Sequence, residues 1–166
     1  MEEASSTAQP KINVVLVHPE IPPNTGNIAR MCGATRSVLH LVHPLGFKTD
    51  DRHLRRAGLD YWDKVEIVHH KDLHTFLDFS KGRELIFFST RGVQPYTRAP
   101  FEDGCYLVFG SETRGLPEEI LERFQVRTYH IPIWGDVRSL NLATAVGVVT
   151  FEAYRQLGFG PHHMPG

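Results

Sequence analysis

Short apolar runs alternate with helical patterns along most of this chain, and this alternation constrains the fold more than any other feature. The run INVVLV at residues 12–17 is rich in β-branched residues and is typical of a strand covered on both faces. Similar runs occupy residues 38–42, 65–68, 85–89, 106–109 and 127–131. Buried strands separated by helices predict an α/β fold with a mostly parallel sheet and helices on both faces.

The predicted helices begin at residues that favour a helix N-terminus. One helix ends near residue 36, a short charged one covers residues 50–62, another ends near residue 79, and the longest covers residues 141–157. Candidates for the residues that open helices are Asn24 or Thr25, Asp72, Pro117, and Ser139 or Asn141.

The composition limits the classes of function. Of 166 residues, 41% are hydrophobic and 22% are charged, and the formal net charge is −1. These values exclude a wholly disordered chain and a strongly basic nucleic-acid coat, so a polyanionic partner must bind a local basic patch. The pattern predicts one domain at residues 12–158 between flexible tails at residues 1–11 and 159–166.

Two further features predict the cellular compartment. Cys32 and Cys105 are too few for a disulfide framework, so we expect buried free thiols in a reducing environment. The chain shows neither a signal-peptide pattern nor an apolar stretch of about 20 residues. A soluble, cytoplasmic protein without a membrane partner is therefore expected.

Three segments that follow predicted strands carry unusual residues. They are PEIPPNTGNIAR at residues 19–30 (the first segment), FGSETRGLPEEI at 109–120 (the second) and HIPIWGDVRSLNLATAVG at 130–147 (the third). Ligands of parallel sheets bind at the carboxyl ends of strands, so these segments are expected to form the site. Taken singly, each is better explained by a stiff loop, a helix cap or an exposed ion pair than by a functional site.

The second segment does not match common nucleotide or hydrolase motifs. Leu116 and Pro117 stand where a P-loop requires Lys and Ser or Thr, and no G-x-G-x-x-G pattern is present. Ser111 does not lie in a G-x-S-x-G elbow, so a hydrolase nucleophile is unsupported.

Together, the three segments resemble the motifs of the SPOUT methyltransferases. The matching patterns are N-x-G-N-I-x-R, F-G-x-E-x-x-G-L-P and I-P…S-L-N-L-x-x-A. The stretches HPEIPPNTGNIAR, DDRHLRRAGLDYWD and FEAYRQLGF are similar to the TrmL group, which methylates the ribose 2′-OH of the tRNA wobble nucleotide. The chain departs from these relatives at Ser111, at WGDV in residues 134–137 and at Leu140.

This resemblance implies a SPOUT fold with a C-terminal trefoil knot, a homodimer, and methyl transfer from S-adenosylmethionine, which becomes S-adenosylhomocysteine. The substrate would be tRNA, and no metal is implied. Carried over by motif, the residues that bind the cofactor are Phe88, Gly110, Ile131, Ser139 and Leu140. Alternatives are an inactive RNA- or nucleotide-binding module of the same fold, or 2′-O-methylation at another tRNA or rRNA site.

The resemblance points to Arg30 as the catalytic residue. A guanidinium holds its proton very tightly, so it can stabilise a forming alkoxide more readily than it can accept a proton. The residues expected to hold Arg30 and the ribose are Asn24, Glu112, Ser139 and Asn141.

A local basic patch is expected to bind the RNA. Its candidate residues are Arg52, Arg55, Arg56, Arg114 and Arg138, although the first three also fit a solvated helix face. Tyr61 and Trp62 either stack on bases or pack in the core.

Overall fold

The computed structural model describes residues 8–50, 52, 54, 56, 62–162 and 164. Within these residues, seven strands form one sheet in the order β3-β2-β1-β6-β4-β7-β5, and every neighbouring pair is parallel. The strands are β1 (Asn13–Val17), β2 (Val38–Val42), β3 (Ile67–His70), β4 (Leu85–Phe88), β5 (Gln94–Pro95), β6 (Tyr106–Phe109) and β7 (Thr128–His130).

Helices cover both faces of this sheet. They are α1 (Pro22–Thr35), α2 (Leu73–Phe79), α3 (Glu118–Arg123) and α4 (Leu142–Leu157), with short 3₁₀ turns at Trp62–Lys64, Tyr96–Arg98 and Gln125–Arg127. Arg52, Leu54 and Arg56 are also helical, whereas Arg55 and Tyr61 lie outside the described residues, as do parts of both predicted tails. Within the described part of the chain, no helix is long and apolar enough to cross a membrane.

Alternating side chains of β1 divide the core into two layers. Val14 and Leu16 pack in one buried cluster with residues of α1 and α4, including Val149. Val15 and Val17 belong to the other cluster, which contains Phe76 of α2 and Ile120 of α3. The predicted mostly parallel α/β sheet with helices on both faces is therefore confirmed, while the trefoil knot and the domain bounds stay predictions.

Several predicted element boundaries were wrong by a few residues. The structure places β3 two residues later than the predicted strand. It also contains the short edge strand β5, which no apolar run predicted. Helix α1 begins at Pro22 with Ile21 as its N-cap, so neither Asn24 nor Thr25 caps it. The backbone N–H groups of a first helical turn have no partner within the helix, and proline has no N–H group. Prolines therefore suit the first turn of α1, and fewer N–H groups there need a capping side chain.

The capping predictions for two other helices are confirmed. The Asp72 side chain accepts a hydrogen bond from the Thr75 amide at the start of α2. Asn141, rather than Ser139, caps α4, because its side chain accepts from the Thr144 amide. Pro117 was expected to be the first residue of α3, but it is the N-cap, one position before the helix begins.

A buried polar chain crosses β1, β2 and β3. The Nε2 atom of His40 lies 3.0 Å from Oδ1 of Asn13, and its Nδ1 lies 2.9 Å from Nε2 of His70. Because the Asn13 oxygen can only accept, His40 carries its proton on Nε2 and accepts from His70 at Nδ1. Burial lowers the pKa of His40 to about 3, so this imidazole is neutral at pH 7, and burial lowers the pKa of His70 as well.

Candidate active site

A cavity of about 510 Å³ lies at the carboxyl ends of β4, β6 and β7 and is lined by residues of all three segments. It contains every residue predicted to bind the cofactor: Phe88, Gly110, Ile131, Ser139 and Leu140. It also contains most of the other predicted site residues, namely Asn24, Glu112, Arg114, Arg138 and Asn141. The structure therefore brings together residues that lie up to 117 positions apart in sequence.

Asn24 and Asn141 join the first turns of α1 and α4. The Asn141 amide nitrogen donates to Oδ1 of Asn24 over 3.0 Å, while the Asn141 oxygen caps α4. Asn24 is buried and therefore needs this partner. Both side chains are fixed at the wall of the cavity, with polar atoms available to orient a substrate.

Two glutamates bind the first and second segments to each other. The Glu112 carboxylate accepts from the amides of Glu20 and Ile21, at 3.0 and 2.5 Å for its Oε2 atom. In return, the Glu20 carboxylate accepts from the amide and hydroxyl of Thr113, at 3.1 and 2.7 Å. Burial raises the pKa of Glu112, whereas the hydrogen bonds from Thr113 lower the pKa of Glu20. Glu112 therefore shapes the cavity wall through backbone contacts.

Gly110 begins a tight turn that forms another wall. Ser111 and Gly115 exchange two backbone hydrogen bonds across this turn, at 3.2 and 3.0 Å. A Cβ atom at Gly110 would lie 2.0 Å from the carbonyl carbon of Gly115 and 2.2 Å from the nitrogen of Leu116. Only glycine permits this close approach of two backbone segments.

An ion pair that the sequence analysis missed stands at the same cavity. Arg91, which follows β4, makes two hydrogen bonds of 2.8 and 3.1 Å to the carboxylate of Glu118 at the start of α3. Both residues line the cavity and are exposed. The pair joins residues 27 positions apart, and the only sequence signal for Arg91 was its position after a predicted strand.

Arg30 is exposed on α1 and is not among the residues that line the cavity. It lies six positions after Asn24, which corresponds to about 9 Å along a helix axis. Among the predicted RNA-binding residues, Arg52, Arg56, Arg114 and Arg138 are exposed, and only Arg114 and Arg138 line the cavity.

A second cavity of about 400 Å³ adjoins the first and shares Thr90, Ile131, Ile133 and Arg138 with it. The remaining lining residues are His130, Pro132, Gly135 and Val137. Between Ile133 and Gly135 stands Trp134, which is 92% exposed. By contrast, Trp62 packs against the core, which is one of the two roles predicted for it.

Residues 11–151 match the SpoU rRNA Methylase family. The chain belongs to this family. This SpoU methylase is 46% identical over 149 residues to the tRNA (cytidine(34)-2′-O)-methyltransferase of Escherichia coli K12, covering 89% of the chain and 95% of that relative. It is 49% identical over 150 residues to the enzyme of the same name from Burkholderia cenocepacia, covering 89% of the chain and 96% of the relative.

Solved structures resemble this SpoU methylase closely. One, described as "Structural insights into the 2-OH methylation of C/U34 on tRNA", has a TM-score of 0.85 and 50% identity, covering 89% of this chain and 97% of that one. An AdoMet-bound rRNA methyltransferase from Sinorhizobium meliloti has a TM-score of 0.81 and 26% identity, covering 91% of this chain and 58% of that one. The SPOUT-type resemblance drawn from the three segments is thereby confirmed.

Proposed function

We propose that this SpoU methylase transfers a methyl group from S-adenosylmethionine to the ribose 2′-OH of the wobble nucleotide, cytidine or uridine 34, of tRNA. The observation that carries this proposal is the convergence of all three motif segments on one cavity. The curated relatives at 46% and 49% identity, which carry this activity in their names, support the choice of substrate. tRNA as the substrate agrees with a location in the cytoplasm.

The residues of the larger cavity fit S-adenosylmethionine. Its volume of about 510 Å³ lies within the usual range for sites of small molecules. Phe88, Ile131 and Leu140 provide apolar surface for the adenine ring, and the turn at Gly110 leaves backbone groups accessible for the ribose. When bound, the cofactor supplies a methyl group that its sulfonium already activates for transfer.

The protein must then place a ribose hydroxyl in line with the methyl group and stabilise the oxygen as it loses its proton. Positioning of this kind supplies up to about 7–11 kcal/mol of a barrier. Asn24, Asn141 and Ser139 line the cavity and offer polar atoms that orient the ribose. We assign to Arg30 the charge-assisted stabilisation of the forming alkoxide, because a guanidinium keeps its proton at neutral pH.

RNA binding is assigned to arginines near the cavity mouth. Arg114 and Arg138 are exposed and line the cavity, so they can neutralise phosphates beside the target nucleotide. Arg52, Arg55 and Arg56 are proposed as further contacts to the RNA. A net charge of −1 does not oppose this assignment, because the potential that attracts RNA is local.

A second copy of the chain is the proposed assembly partner. Val148 and Phe151 of α4 are 37% and 51% exposed, so the helix presents apolar surface beyond the face that packs on the sheet. Helix α1 packs against α4, and it carries exposed side chains of its own, including Arg30. We propose that both helices bury these faces in a homodimer.

Methyl transfer to defined RNAs tests the proposed function. Purified protein is incubated with radiolabelled S-adenosylmethionine and anticodon stem-loops bearing cytidine or uridine at position 34, and the label is mapped by nuclease digestion. The matched control RNA has a 2′-deoxyribose at position 34 and should accept no methyl group. Label at another nucleotide would refute the assigned site, and RNA binding without transfer would favour the inactive binding module.

A further inference from the structure

Trp134 is the large apolar side chain that the proposed chemistry leaves without a role. It is 92% exposed, which is the highest exposure among the large hydrophobic side chains that the structure describes. It also belongs to the WGDV stretch at residues 134–137 of the third segment. A tryptophan buries more apolar surface than most side chains when it has a partner, so this exposure indicates a binding surface.

The neighbours of Trp134 place it beside the reaction site. Ile133 lines both cavities, and Gly135 and Val137 line the second one. Arg138, four positions later, again lines both. An occupant of the second cavity therefore lies next to the larger cavity and within the reach of this loop.

The charge at this rim favours an anionic chain as the occupant. Arg114 and Arg138 are exposed at the larger cavity, while Glu118 is neutralised by Arg91. Asp136 is an exposed acidic residue of the same loop, so the loop itself has no strong net charge. Stacking on the indole, supported by arginine contacts to phosphates, is the mode by which proteins bind single-stranded nucleic acid.

We propose that Trp134 is a stacking platform for an unpaired nucleobase next to the nucleotide that is methylated, with the second cavity receiving that base. This inference rests on the proposed function, since it takes the RNA strand to enter the larger cavity with its target ribose. Loss of one base–aromatic stack weakens binding by about 5- to 150-fold. The step concerns RNA affinity, so binding of the cofactor does not depend on it.

Fluorescence of a single tryptophan tests this contact directly. The chain has two tryptophans, so Trp62→Phe leaves Trp134 as the sole reporter. Titration with an anticodon stem-loop should quench its emission and shift it to shorter wavelength. In the otherwise unchanged protein, Trp134→Ala should raise the KM for the stem-loop about 5- to 150-fold. Trp134→Phe should retain most of the affinity, and S-adenosylhomocysteine should bind all variants alike.

Val126→Ala is the matched control. Val126 is 81% exposed and lies just before the N-terminal end of β7, whereas Trp134 follows its C-terminal end. It should leave the KM for RNA unchanged. Unaltered emission on RNA addition, or an unchanged KM in Trp134→Ala while the parent protein still methylates the stem-loop, overturns the stacking role alone. A change from dimer to monomer in Trp134→Ala, measured by light scattering, would also overturn it and assign the residue to a contact between copies. Absence of methyl transfer by the parent protein would instead refute the proposed function.

Discussion

The Gly110→Ala substitution isolates the backbone turn that lines the proposed cofactor site. The added Cβ would lie 2.0 Å from the carbonyl carbon of Gly115, whereas ordinary contacts begin near 3.4 Å. The neighbouring backbone must therefore move by about 1.4 Å. Because the atoms that clash are backbone atoms, no side-chain rotation relieves the overlap.

The size of the effect follows from this movement. Forcing an extra carbon into a packed site costs about 1–3 kcal/mol, and each of the two hydrogen bonds between Ser111 and Gly115 contributes about 1 kcal/mol. Because this turn forms part of the cavity wall, its displacement should weaken the binding of S-adenosylhomocysteine. We expect the affinity to fall 10- to 100-fold, which corresponds to about 1.4–2.8 kcal/mol. Thermal stability should fall as well, but circular dichroism should still show a folded protein.

Titration calorimetry with S-adenosylhomocysteine measures the loss, and two other glycines provide the comparison. Gly115 has φ of +67° but open space at its Cβ position, so Gly115→Ala costs about 1 kcal/mol of backbone strain without a clash. Gly135 has neither constraint, so Gly135→Ala should bind normally. If Gly110→Ala binds with the affinity of Gly135→Ala, the turn is not part of the cofactor site and the argument fails.

Four further outcomes are expected. Arg30→Ala should lower the rate of methyl transfer about 10²- to 10³-fold and leave the affinity for S-adenosylhomocysteine unchanged. Arg30→Lys should restore part of the rate if charge alone matters. Normal turnover in Arg30→Ala would exclude Arg30 from the mechanism. Asn141→Ala, which loses a helix cap, should lower the free energy of unfolding in urea by about 0.5–2 kcal/mol, and no change would contradict the cap. Phe151→Glu should yield a monomer in light scattering, whereas an intact dimer would place the interface elsewhere. Burial lowers the pKa of His40 from 6.5 to about 3, so the folded protein binds fewer protons than the unfolded chain between these pH values. The free energy of unfolding should therefore be highest above pH 6.5 and fall by up to about 1.4 kcal/mol per pH unit as the pH drops towards 3. Urea titrations of His40→Gln should show a shallower fall with pH, and a fall as steep as in the parent protein would refute this origin.

Local sequence signals predicted most of the fold because the physics that they report is local. An apolar run such as residues 12–17 can be satisfied only inside the sheet, and the Asp72 cap acts on an amide three residues away. The α1 start was wrong because a favoured capping residue, Asn24, competed with two prolines that also favour a helix start. The two-residue strand β5 is too short to produce an apolar pattern.

The cavity walls were predicted from the resemblance together with the rule that ligands bind at strand ends. Phe88, Gly110 and Ile131 each stand at or beside the carboxyl end of a strand, and the structure brings them to one cavity. The contacts that hold these walls in place were not predicted. The Arg91–Glu118 pair and the binding of Glu112 to the Glu20 amide join distant residues that no spacing rule connects.

The reciprocal contacts between Glu20 and Glu112 also determine when the proposed cofactor site can form. They close a loop of about 92 residues, and closing so long a loop is slow because its entropy is lost before any contact forms. The third segment, which completes the cavity, is synthesised after both. On the ribosome, β1, α1 and β2 can therefore pair early, whereas affinity for S-adenosylmethionine arises only after residues 131–145 have emerged. Cofactor binding during refolding is thus expected to follow the recovery of helical signal, and it reports the last step of folding.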